Sequence, residues 1–79
     1  MRVSQLIHAM HRDDEIRIDD FNKPVDKMTI YKGTARGIYK DDPINKMHIL
    51  SVAAAENIIC VLAIEQRKEL AHNEKQRTN

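Results

Sequence analysis

The side chains with the best-placed chemistry lie in one stretch, Tyr31-Lys32-Gly33-Thr34-Ala35-Arg36-Gly37, followed by Tyr39. Two cations, a hydroxyl, two aromatic rings and glycine-exposed amides fall within nine residues. That set suits an anion. Arg36 and Lys32 would hold a phosphate by charge-assisted hydrogen bonds, with Thr34 and the amide near Gly33 beside them. Tyr31 or Tyr39 would give a base a face to stack on. The ordinary reading of the same residues is an edge strand guarded by charge and a glycine bulge.

The other reactive side chains read as structural. Cys60 sits in Ile58-Ile59-Cys60-Val61-Leu62, where apolar neighbours disfavour a thiolate, so a buried, inert thiol is expected. His8 and His11 are three residues apart and share a helix face. With Asp13 or Asp14 they would make a metal site, but that spacing is equally common on a solvated face, and no metal or cofactor is expected. The carboxylate pairs Asp13-Asp14, Asp19-Asp20 and Asp41-Asp42 fall where strands end, the usual place for Asp in turns. No phosphate-binding glycine loop, dinucleotide fingerprint or zinc-protease motif is present. The expectation is a protein that is not an enzyme.

The elements that position these residues follow from periodicity. Val3, Leu6, Ile7 and Met10 recur at helical spacing and predict one short amphipathic helix, with Ser4 as N-cap, no capping box, and His11 and Arg12 at its end. Glu15-Ile16-Arg17-Ile18-Asp19 alternates strictly and predicts a half-buried strand with both isoleucines inward. Met28 to Tyr31 predicts a second strand that bends or breaks near Gly33. Gly33 and Gly37, the two glycines of the chain, each mark a positive φ, a bulge or a close backbone approach. Asp41-Asp42-Pro43 closes that region. Met47 to Ile64 predicts an antiparallel hairpin turning near Glu56-Asn57. Its second strand is apolar on both faces, which suits a central or interface strand. The expected fold class is α+β: one short N-terminal helix on a small, mostly antiparallel sheet of three to five strands. Residues 1–64 form a single domain, and 65–79 is a charged extension, helical or disordered.

Composition narrows the functions. The chain has 79 residues, 42% of them apolar, a formal net charge of +1 and one cysteine. No disulfide framework or zinc cluster supports so small a core, which leaves oligomerisation as the common remaining route to stability. A near-neutral charge suits neither duplex nucleic acid nor a nucleic-acid mimic. The tail cations Arg67, Lys68, Lys75 and Arg77 are diluted by Glu65, Glu69 and Glu74. No apolar run is long enough to span a bilayer and no signal peptide is visible, so a soluble cytoplasmic protein is expected.

The order of motifs resembles a family of short, mostly uncharacterised phage and prophage proteins of Gram-positive bacteria. The resemblance rests on Ser4-Gln5-Leu6-Ile7, Asp13-Asp14-Glu15-Ile16-Arg17-Ile18, Tyr31-Lys32-Gly33-Thr34 and a closing hairpin of Ile49–Ala53 and Ile58–Ile64. The stretch Asn22 to Lys27 and the tail after Ile64 depart from that layout. The resemblance implies a non-enzymatic accessory protein that neutralises host defence. Either a homo-oligomeric sponge sequesters an anionic, nucleotide-type signal, with two copies of Arg36 converging at a subunit interface, or an anti-CRISPR type inhibitor blocks an effector protein. A nucleic-acid accessory protein is the third possibility.

Overall fold

The computed structural model describes residues 1–65. The reading of the extension as helical or disordered falls outside them, apart from Glu65. One helix, α1 (Val3–Ala9), precedes four strands, β1 (Glu15–Asp20), β2 (Thr29–Thr34), β3 (His48–Ala55) and β4 (Ile58–Ile64). The strands form one sheet in the order β2-β1-β4-β3. The β1–β2 and β3–β4 ladders are antiparallel, and β1–β4 is parallel. The molecule is α+β with a mostly antiparallel sheet, as the periodicity predicts, and β4 is a central strand. The parallel seam is new.

The core lies on one face of the sheet. Ile16 and Ile18 of β1 and Val61 and Ala63 of β4 are essentially inaccessible to solvent, as is Val3 of α1. Register places Ile16 beside Ile59 and Ile18 beside Val61 across the parallel ladder, so these side chains share a face. Leu6, Ile7 and Met10 of α1 and its C-cap pack on the same cluster, with Ile38, Ile44 and Met47 from the β2–β3 connection. Each fully buried branched side chain contributes roughly 1.5–3 kcal/mol. That burial holds a seven-residue helix which would not persist alone.

Some local expectations change. The N-cap of α1 is Arg2, not Ser4. Its N–H donates to Gln5 Oε1 at 2.8 Å, while Val3 N–H donates to the Met47 carbonyl at 3.0 Å. That second bond fixes the helix start two residues earlier than the hydroxyl suggests. His11 and Arg12 lie beyond the helix, in the turn to β1. There Asp14 Oδ2 accepts from His11 N–H, as Asp20 Oδ1 does from Asn22 and Asp42 Oδ1 from Ile44. Those three carboxylates serve turns, as expected.

Each edge strand carries one bulge, between Ile30 and its neighbours in β2 and at Leu50 in β3. The extra residue breaks strict alternation. Ile30 and Tyr31 therefore both pack on the core, and Ile49 and Val52 share a face although three positions apart. The hairpin turns at Glu56-Asn57 with φ of 51° and 68°, the two left-handed residues of a type I′ turn.

Register puts Cys60 beside Arg17 and Ala53, on the face away from α1. Cys60 is half-buried there, not enclosed. The alternation of β4 is responsible: Ile59, Val61 and Ala63 take the core face, so Cys60 shares the other with Ile58, Leu62 and Ile64. Among the described residues, none of the helices or turns that build the core lies on that second face.

Candidate functional site

The β2 edge and the end of α1 meet at a cationic groove. Two backbone bonds join the Arg12–Asp14 turn to the 3-10 turn Ala35–Gly37: Arg36 N–H donates to the Arg12 carbonyl at 3.0 Å, and Ala35 N–H donates to the Asp14 carbonyl at 2.9 Å. They bring residues 21 and 24 positions apart side by side. The following loop is held by Asn45, whose Nδ2 donates to the Tyr39 carbonyl at 2.6 Å and the Lys40 carbonyl at 3.2 Å. The result is an open groove of about 490 Å³ lined by Ile7, His8, Met10, Arg12, Ala35, Arg36, Ile38 and Lys40.

Its lining combines three cationic residues with His8 and four apolar ones. No carboxylate lines it. Arg36 pairs with Asp13 at 2.5 Å, but both side chains are largely exposed, at 62% and 81%. An exposed pair of that kind is worth between about 0 and 1 kcal/mol, so an incoming anion replaces it at little cost. Among the described residues, neither Arg12 nor Lys40 makes a side-chain ion pair. His8 Nδ1 lies 3.1 Å from the Ser4 carbonyl, so one ring nitrogen faces the helix backbone. The volume is in the range of small-ligand sites.

The residues singled out from sequence divide among four places. Arg36 is in the groove. Lys32 stands opposite Arg17 in register, on the sheet face away from α1, and does not join it. Tyr31 is inward, packed on the core, and its hydroxyl donates to the Thr34 carbonyl at 2.6 Å. Gly33 and Gly37 make room for that ring. A Cβ on Gly37 would stand 2.1 Å from Tyr31 Oη, and one on Gly33 would stand 3.0 Å from it. Of the three meanings open for these glycines, close approach is the one realised, and neither has a positive φ. Tyr39 is 74% exposed beside the groove, not among its lining residues.

Arg12, Lys40 and His8 were not legible as site residues. The spacing Arg36, Ile38, Lys40 places two cations around an apolar residue, and it was the one local signal. Arg12 arrives only through the backbone bonds to Ala35–Gly37. Among the described residues, no group of three or more His, Cys, Asp or Glu side chains is placed to hold a metal ion, and no helix is long and apolar enough to cross a membrane. Compared with known proteins, the chain matches no family model, no curated sequence and no solved structure.

Proposed function

We propose that the protein is a non-catalytic, homo-oligomeric binder of an anionic, nucleotide-type small molecule. The observation that carries this reading is that Arg12, Arg36 and Lys40 line one groove together with Ile7, Met10, Ala35 and Ile38. Guanidinium and ammonium groups suit phosphate oxygens, and Arg offers a bidentate fork. The apolar lining suits the less polar part of the ligand. The counter-defence role, a sponge for a host signal, is drawn from the resemblance to phage proteins, and the groove speaks to the ligand's chemistry.

Isothermal calorimetry against cyclic and ADP-ribose-type nucleotides tests the reading. At least one should bind. Arg12→Ala or Lys40→Ala should weaken it by about tenfold or more, since a hydrogen bond to a charged group contributes about 1.5–3 kcal/mol. Absence of heat with every nucleotide would overturn it.

A further inference from the structure

The sheet has two edges, β2 and β3, and β3 is the longer of them and the one without a charged residue. Its eight residues, His48-Ile49-Leu50-Ser51-Val52-Ala53-Ala54-Ala55, contain no Lys, Arg, Asp, Glu or Pro. Such groups ordinarily keep an edge strand from pairing with another chain. Leu50 and Val52 are about half exposed, and every residue from Leu50 to Asn57 is exposed.

The start of this edge already accepts a strand. Ile49 N–H donates to the Met1 carbonyl at 2.8 Å, and Arg2 forms an antiparallel bridge with His48. Pairing then stops, and among the described residues nothing continues it along Leu50–Ala55. In a two-residue hairpin the pair flanking the turn, here Ala55 and Ile58, is hydrogen-bonded. Alternation then directs the N–H groups of Val52 and Ala54 outward. The outward Ile49 N–H agrees with this count once the bulge at Leu50 is included.

We infer that Leu50–Ala55 is a subunit interface, where β3 pairs antiparallel with β3 of a second copy about a two-fold axis near Ala53. The sequence favours a copy of itself over a foreign strand. Antiparallel self-pairing sets Val52 of each copy opposite Ala54 of the other, and Ser51 opposite Ala55. A charged strand paired in this way would oppose like charges, whereas this one opposes small, neutral side chains. The product is a continuous eight-stranded sheet with an Arg12–Arg36–Lys40 groove in each copy. The interface rests on the homo-oligomeric part of the function proposed above and not on its ligand.

Light scattering on size-separated full-length protein tests it. The wild-type mass should be twice the 9.2 kDa of one chain. Val52→Lys puts two ammonium groups near each other across the axis and should weaken the dimer by about tenfold or more, giving the single-chain mass. Ala54→Pro removes an outward N–H and should do the same without touching the β3–β4 ladder. Circular dichroism identical to wild type shows that the variants fold, and a variant that does not fold is set aside for the other. A wild-type monomer overturns both the interface and the oligomeric reading. A dimer that survives both substitutions overturns the interface alone.

Discussion

The two edges of this sheet are finished in different ways. β2 carries Lys32 at its centre, bends at a bulge, and ends in the Ala35–Gly37 turn, which is bonded to the Arg12–Asp14 turn. Tyr31 pins that end by reaching over Gly33 and Gly37 to the Thr34 carbonyl. β3 is longer and uncharged, and beyond Ile49 its outer side is bare among the described residues. One edge carries a charge and leads into a turn that lines a groove. The other keeps its backbone groups available. The two central strands β1 and β4 hold these differently finished edges apart, so the small-molecule groove and the subunit interface proposed above would lie on opposite sides of the sheet.

The largest expected effect attacks the β2 edge. Gly37→Ala drives a methyl group into Tyr31 Oη, so either the ring or the turn must move and the bond to Thr34 is lost. A destabilisation of about 2 kcal/mol is expected, read as a fall in Tm of roughly 8–16 °C. An unchanged Tm would mean that Tyr31 does not lock this edge. The next effect concerns the β3 side and has the opposite sign. Asn57 sits at φ 68° in the type I′ turn, where glycine is the preferred residue. Asn57→Gly should stabilise the hairpin by about 0.5 kcal/mol, measured as a higher urea midpoint at unchanged m. A lower midpoint would contradict the turn assignment. The smallest effect removes the difference between the edges. Lys32→Ala leaves β2 without its charge and should change stability by less than about 0.5 kcal/mol. Because the bulge at Ile30 still interrupts that edge, the light-scattering mass should stay at the wild-type value. A larger assembly would show that Lys32 alone kept the edge shut.

What could be read from the sequence follows the range over which each feature is determined. The alternation of Ile16 and Ile18, the helical spacing of Val3, Leu6, Ile7 and Met10, and the turn at Glu56-Asn57 are set by neighbours a few positions apart, and they emerged where expected. The β1–β4 pairing depends on two distant segments, and neither says locally that the other lies beside it in parallel. The groove has the same character. Arg36 was visible as a cation near glycines, but Arg12 reaches it through a backbone bond between separate turns. Lys32 was misplaced with it because the two are near in sequence, while the pleat sends Lys32 to the opposite face from Tyr31. The exposure of Cys60 is hidden for a related reason: an apolar strand predicts enclosure, whereas one of its two faces is uncovered by the described helices and turns.

The parallel seam also governs the order in which this chain can fold. β1 with β2, and β3 with β4, are each joined through local sequence, so each pair can form early at low loop-closure cost. Their union cannot, because Glu15–Asp20 must find Ile58–Ile64 from the other end of the described chain. Docking of the two hairpins is therefore the slow, cooperative step, with α1 laid across both as they meet. Until it occurs, β4 of one hairpin and β1 of the other are unsatisfied edges, so the two separate hairpins carry four pairing edges where the finished sheet carries two.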